Sequence, residues 1–345
     1  MEQVLDQRGW RGNGGKLNKV ASVAAQEIVT HDECIFYAHD DTSKNWLLDD
    51  ESILKKKGQG RSLMVSDFLC ACHGRLKISE EDTARLKIPS ESREIIHPGK
   101  NHDGYWKSDD MVGQLRKKAI PLFRAMHPEA TGVFLFDQST NHQAFDPTAL
   151  VANRMTLHPK VEKTWKYKDG YYFVNHQKIY QPMFFVDEDD GVCKFKGIKR
   201  ILEERGLWFP ALRLECKNEA EGNCCARHIL AAQPDFLAQK SALAQAVEES
   251  DNIFDLYPKY HCECNFIERY WGAAKRQARQ QCDYKFESLK RVVPQILNEI
   301  PLPQIRRFSW KACRYIDAHH KGLTGVDAER AVKKFKSHRR IRLDD

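Results

Sequence analysis
The chain has 345 residues, 41% of them hydrophobic and 30% charged, with a formal net charge of +7. That length can bury a substantial core, and no apolar run is long enough to span a membrane. Its 11 cysteines, an odd number with no apolar N-terminal leader before them, favour a reduced nuclear or cytosolic setting over a disulfide framework.

Residues 1–19 are polar and glycine-punctuated and carry Arg8, Arg11, Lys16 and Lys19, so they read as a frayed, linker-like segment. Residues 27–37 are β-branched and aromatic and read as a strand holding Asp32. Residues 63–72 are apolar enough for another strand, and 109–126 have the period of an amphipathic helix. The run Gly132-Val133-Phe134-Leu135-Phe136 suits a strand buried on both faces, and it ends in Asp137. Residues 165–186 alternate around Asp169-Gly170 as a hairpin would, and 198–205 and 236–249 read as helices. From Asn265 a strongly amphipathic helix runs to Arg279, with Ile267, Trp271, Ala274 and Ala278 on one stripe and Glu268, Gly272, Lys275 and Arg279 on another. Beyond Pro294, helices are expected over 304–319 and 326–336, with Phe308, Trp310 and Tyr315 packing this tail against the core. There is no internal repeat and no low-complexity tract.

Two strand-borne aspartates and one helix-borne glutamate suit hard divalent cations. Mg²⁺ takes oxygen ligands and keeps several waters, and a pair of such ions about 3.5–4 Å apart can activate an attacking water and stabilise a leaving oxygen. Each carboxylate also has a structural use. Asn265 with Glu268 makes a capping pair, Asp137 suits the start of a turn, and Asp32 suits a polar position on an edge strand.

The succession Thr30-His31-Asp32-Glu33, then Phe134-Leu135-Phe136-Asp137 with Asn141-His142, then Tyr257-Pro258-Lys259-Tyr260-His261 running into Asn265-Phe266-Ile267-Glu268-Arg269-Tyr270-Trp271-Gly272, resembles a DDE-type transposase. More narrowly it is similar to the mariner-like superfamily and, within it, a group widespread in fungal genomes. The stretches around Gly58-Gln59-Gly60-Arg61, Gly206-Leu207-Trp208, Gln233-Pro234-Asp235-Phe236 and Ser337-His338-Arg339-Arg340 fit the same group, so the resemblance covers nearly everything from about residue 26 onward. It implies an α/β fold with a ribonuclease-H-like core, in which Asp32, Asp137 and Glu268 hold two Mg²⁺ or Mn²⁺ ions. In the family, water hydrolyses a phosphodiester at a transposon end and the freed 3′-hydroxyl attacks target DNA, without a covalent protein intermediate. Asn141 and His142 match supporting positions that orient a carboxylate or a phosphate; an ordinary turn or packing histidine is the alternative for His142. The resemblance also implies DNA as partner, a homodimer or higher assembly on two DNA ends, and a nuclear location.

Two departures stand out. Asp137 and Glu268 lie 131 positions apart, which implies a long insertion in the core. The expected organisation is a basic flexible segment at 1–25, the first part of the core at 26–153, an inserted subdomain at 154–250, the second part of the core with the catalytic helix at 251–300, and a helical basic C-terminal tail at 301–345. Family members usually carry a helix-turn-helix region ahead of the catalytic domain, yet only 31 residues precede Asp32. The alternative reading is therefore a truncated or domesticated derivative that binds DNA without cutting it.

Charge is unevenly spread. Residues 264–345 hold 19 Lys/Arg and 9 Asp/Glu, a net +10 against −3 for everything before them. Lys275, Arg276 and Arg279 on the Glu268 helix suit phosphate-backbone binding, and the terminal run from Lys333 through Arg342 suits either that or nuclear targeting. A solvated helix face with a basic tail is the plainer alternative. Cys216, Cys224, Cys225 and His228 fall close together in a charged stretch and form a candidate structural Zn²⁺ set, against an ordinary role as small buried side chains. Cys70-Ala71-Cys72-His73 and His261-Cys262-Glu263-Cys264 are weaker candidates.

Overall fold
The computed structural model describes residues 25–41, 56–216 and 224–334; the basic segment 1–24 and the terminal residues from 335, including Lys336, Arg339, Arg340 and Arg342, lie outside them. In chain order come β1 (Ala25–Tyr37), β2 (Ser62–Cys70), β3 (Gly74–Arg75), α1 (Glu80–Leu86), β4 (Glu94–Ile96), α2 (Ser108–Gln114), α3 (Ile120–Met126) and β5 (Ala130–Phe136). Then follow β6 (Gly170–Val174), β7 (Gln177–Gln181), β8 (Phe184–Val186), β9 (Cys193–Phe195), α4 (Gly197–Glu204), α5 (Ala226–Ala231) and α6 (Pro234–Leu237). The chain closes with α7 (Ala242–Glu248), β10 (Ile253–Leu256), α8 (Phe266–Gln280), α9 (Phe286–Glu299), α10 (Leu302–His320) and α11 (Gly325–Lys334). Two compact units result: Met1–His142 with Leu243–Asp345, and Gln143–Ala242.

The first unit is built on a mixed sheet in the order β10-β5-β1-β2-β3, with β4 pairing β2. β1 runs antiparallel to β2, with Asp32 opposite Asp67, and parallel to β5, which is parallel to β10. This mixed α/β arrangement is compatible with the ribonuclease-H-like core expected from the sequence. Because successive strand residues point to opposite faces, Cys34 and Phe36 of β1 join Ile267, Trp271 and Val293 in one core, while Val29 joins Phe68, Phe123 and Phe134 in the other. Helices thus cover both faces of the central strands, which explains their near-continuous apolar runs. Among the described residues no helix is long and apolar enough to cross a membrane.

Several elements differ from the sequence expectation for physical reasons. The helix expected over 109–126 is α2 and α3 joined by a π-helical stretch, Leu115–Ala119. Pro121 lacks an N–H, and the ladder re-registers just before it, with Ile120 N–H bonding Leu115 O. Helices α10 and α11 lie beyond Pro294 as expected, and Pro294 itself lies inside α9, a helix not read from the sequence, where burial of Val293, Ile296 and Leu297 holds the helix through it. The helix expected over 236–249 is split: Phe236 of α6 packs in the second unit, whereas Leu243 and Val247 of α7 pack in the first. Residues 243–250 therefore belong with the sheet and not with the inserted segment, and residues 143–153 belong with the second unit and not with the first part of the core. Trp310 is 62% exposed, so of the three tail aromatics only Phe308 and Tyr315 pack inward.

In the second unit the hairpin β6–β7 turns at Asn175-His176, both at positive φ as a two-residue loop requires, not at Asp169-Gly170. Gly170 serves another end: a Cβ there would meet Asp235 Oδ2 at 2.4 Å, and Asp235 instead accepts the Tyr171 N–H at 3.0 Å. Asp235 also takes two bonds from Arg205, at 2.9 and 2.6 Å, and Arg205 Nε bonds Gln181 at 2.8 Å. Both charged side chains are only 1% exposed. Around them Met183, Phe195, Ile198, Ile201, Leu202 and Leu230 form the core of this unit.

Candidate active site
β1 carries Asp32 into the middle of the sheet, where it is 8% exposed. α8 is fastened to the same strand one residue away. Asn265 is its N-cap and accepts the Ile267 N–H at 3.4 Å; its Nδ2 bonds His31 O at 3.2 Å, and its Oδ1 accepts the Thr30 hydroxyl. Tyr257 OH then donates to Thr30 Oγ1 at 3.1 Å. Cap and tether are thus one side chain, and they set the first turn of α8, which holds Glu268, against the segment holding Asp32. Glu268 does not complete a reciprocal capping box, and the Asp32 carboxyl is hydrogen-bonded by the Glu33 backbone N–H.

Burial first, then the Glu268, Glu33 and Asp137 carboxylates, push the Asp32 carboxyl well above its usual range. Burial and Asp137 likewise push Glu268 up, with Lys275 opposing them. The three acidic residues proposed from the sequence therefore lie within one another's electrostatic reach. Like charges gathered in a partly buried place disfavour ionisation unless a cation joins them. The donor set is entirely carboxylate oxygen, so it fits Mg²⁺ or Mn²⁺ and does not suit a soft metal.

Asp137, at the end of β5, is held differently. His142 Nδ1 contacts its Oδ1 and lies 3.0 Å from its backbone oxygen, and His142 Nε2 stands 3.7 Å from Glu33, an ion-pair rather than a hydrogen-bond distance. Burial opposes the imidazolium, but Asp137 and Glu33 outweigh it and push His142 up to about 10. The His142 bond holds the Asp137 carboxyl below its usual range. Asn141 stands exposed in the same turn. On the face of β1 away from Asp32 and beside His142, burial pushes His31 down to about 4, and its Nε2 lies 2.8 Å from Ser66 Oγ, which donates to Gln114 Oε1 at 2.8 Å. Neutral His31 and charged His142 sit with ring centroids 5.5 Å apart. Glu33, bonded by Trp106 Nε1 at 3.1 Å, is a site residue that spacing did not single out; its place two strand positions from His31 was the available signal.

The cations on α8 divide. Arg276 is exposed, Lys275 is half-buried and interacts with both Glu268 and Cys34, and Arg279 pairs with Asp40 at 3.0 Å. In the tail, Lys333 pairs with Glu329 at 2.6 Å.

In the second unit, His228 Nδ1 lies 3.3, 3.1 and 3.4 Å from the sulfurs of Cys216, Cys224 and Cys225, so these four residues do converge. The 261–264 stretch places Glu263 between His261 and His319, each at 2.8 Å, without its cysteines.

Asp32→Asn should raise the melting temperature of chelator-treated protein, by about 2–4 °C for a gain near 1 kcal/mol. The sign follows from the raised carboxyl: the folded state resists Asp32 ionisation, so its charge costs stability at neutral pH. The gain should fade below about pH 3.9, where the aspartate is protonated in folded and unfolded chains alike. A lower melting temperature at neutral pH would contradict the assigned crowding of like charge.

No protein-family model matches the chain, and no curated protein matches it. Among solved structures, one described as "Crystal structure of the Mos1 Strand Transfer Complex" is similar over 34% of this chain and 29% of that chain, with 19% identity and a TM-score of 0.23. The chain thus spans less than a third of its length. A likeness of that extent decides neither the whole fold nor the chemistry.

Proposed function
We propose that the first unit is the catalytic domain of a metal-dependent, DDE-type DNA transposase or endonuclease. The observation that supports this reading is the mutual electrostatic influence of Asp32 on β1, Asp137 at the end of β5 and Glu268 on α8. The mixed sheet order and the motif succession in the sequence support it independently. Asp32, Asp137 and Glu268 would hold two Mg²⁺ or Mn²⁺ ions. When bound, such a pair supplies a lowered pKa for an attacking water or hydroxyl and charge stabilisation for the leaving oxygen of a phosphodiester.

The chain's own residues do the positioning. Asn265 and Thr30 fix α8 against β1, and His142 together with the Ser139 N–H orients the Asp137 carboxylate through its Oδ1. Arg276, with Lys275 beside Glu268, offers cations for the phosphate backbone; Arg279 contributes only if it leaves Asp40. The substrate is DNA, the setting is the nucleus, and two copies act on two DNA ends. Cys216, Cys224, Cys225 and His228 would hold a structural Zn²⁺ that ties the inserted unit's chain together.

The test is strand cleavage by the full chain on labelled duplex and branched DNA, with and without Mg²⁺ or Mn²⁺. Metal-dependent cutting followed by joining to a second duplex supports the transposase, and cutting without joining supports a structure-dependent nuclease. Salt-sensitive binding without any cutting would replace this reading with a domesticated DNA-binding derivative.

A further inference from the structure
We propose a second transition-metal site, formed by Cys70, Cys72, His73 and His127 on the first unit and suited to structural Zn²⁺. Cys70 ends β2, Cys72 and His73 lie in the tight turn to β3, and His127 is the residue after α3, so the four donors come from chain segments 54 positions apart. Their ligand atoms all lie within 4.8 Å of one another.

The three edges that meet at His127 Nε2 match a tetrahedron. With Zn–S about 2.3 Å and Zn–N about 2.0–2.1 Å, tetrahedral angles require S···N edges of about 3.6 Å and an N···N edge of about 3.3 Å. His127 Nε2 lies 3.7 Å from Cys70 Sγ, 3.6 Å from Cys72 Sγ and 3.2 Å from His73 Nδ1. The same geometry requires an S···S edge of about 3.8 Å, so the Cys216–Cys224 separation of 2.9 Å is shorter than a shared tetrahedron requires.

Hydrogen bonding alone does not account for the cluster. A ring nitrogen either donates one bond or accepts one, yet Nε2 of His127 faces three donor atoms. A single cation satisfies all four ligands together. Two thiolates with two imidazoles suit zinc, and a closed four-ligand set leaves no open position for catalysis.

Surrounding contacts hold the ligands in place, as outer contacts of metal sites do. The His73 N–H points to Cys70 Sγ at 3.4 Å. Arg306 of α10 bonds Ala71 O at 3.2 Å and Cys72 O at 2.8 Å, which fixes the turn. Gly74 completes it at φ +79°, where a Cβ would lie 3.1 Å from Ile305 Cδ1. The His127 ring stacks on Phe123 with centroids 4.8 Å apart. Glu27 Oε2, 3.5 Å from Cys72 Sγ, places one carboxylate at the edge of the cluster. Metal here would pin the end of β2 to the end of α3, immediately before the strand that delivers Asp137.

The experiment measures zinc per chain by mass spectrometry of the metal in full-length protein, beside two double variants. The proposal expects Cys72→Ser/His127→Ala to lose about one equivalent relative to wild type. In Cys224→Ser/His228→Ala protein it expects a zinc-edge absorption spectrum with two sulfur and two nitrogen neighbours. Unchanged zinc in the first variant, or an oxygen-only zinc shell in the second, would overturn it. A measurement on the wild-type chain is independent of variant folding: half-buried Cys72 should be shielded from alkylation, become reactive after chelation and be shielded again on adding Zn²⁺ alone. Alkylation of Cys72 at one rate with and without Zn²⁺ would overturn the site equally.

Discussion

Glu268→Gln should lower metal-dependent DNA cleavage by about 10³-fold or more, equivalent to roughly 4 kcal/mol of transition-state stabilisation. Glutamine keeps the size of the side chain and removes its charge. Two observations separate this loss from unfolding. Asn265 caps α8 without help from Glu268, and Glu268 has no hydrogen-bond partner to leave stranded. The variant should therefore melt no lower than wild type and bind DNA with similar affinity, as read by circular dichroism and fluorescence anisotropy. Cleavage at the wild-type rate would remove Glu268 from the mechanism.

The second large effect is on stability. Asp235→Ala should destabilise the inserted unit by about 3–5 kcal/mol, the usual cost of leaving one member of a buried ion pair alone. Arg205, 1% exposed in its side chain, would lose both its bonds to Asp235, and the Tyr171 N–H would lose its acceptor. Gly170 is shaped to this carboxylate, so little else can move in to replace it. Urea denaturation reports the change, and a loss below about 1 kcal/mol would mean that water or Gln181 takes over the pairing. Replacing both Arg205 and Asp235 by apolar residues should recover much of the loss, because no isolated charge is then buried.

The sequence made the proposed carriers of the site legible for a simple reason. A β-branched run, a continuous apolar run and an amphipathic stripe are strong local signals, and Asp32, Asp137 and Glu268 each sit on one. What holds them was not local. Thr30, Tyr257 and Asn265 come from three segments whose hydrogen bonds appear only when β1, β10 and α8 are assembled. Strand β10 has only four residues and two of them are exposed, so periodicity could not find it. Helix α9 was not read because Pro294 sits inside it: the cost of proline is local while the burial that outweighs it is tertiary. His127 shows the same limit most clearly: 54 positions separate it from His73, and only the fold brings their nitrogens to 3.2 Å.

The cations on α8 teach the converse. Spacing put Lys275 and Arg279 on the stripe with Glu268, but Asp40 claims Arg279 at 3.0 Å. A shared helix face therefore did not guarantee a shared partner. Arg276, adjacent in sequence and exposed, is the freer contributor to a phosphate surface.

The most direct measurement is Mn²⁺ binding to the full chain, followed by electron paramagnetic resonance, for wild type beside Asp32→Asn/Glu268→Gln. Substituting two carboxylates by amides of similar size removes charge without removing bulk. Wild type should bind about two ions at a carboxylate site and the double variant none at that site, with the fold retained. Equal Mn²⁺ binding by the two proteins would contradict the claim that Asp32, Asp137 and Glu268 form a divalent-metal centre.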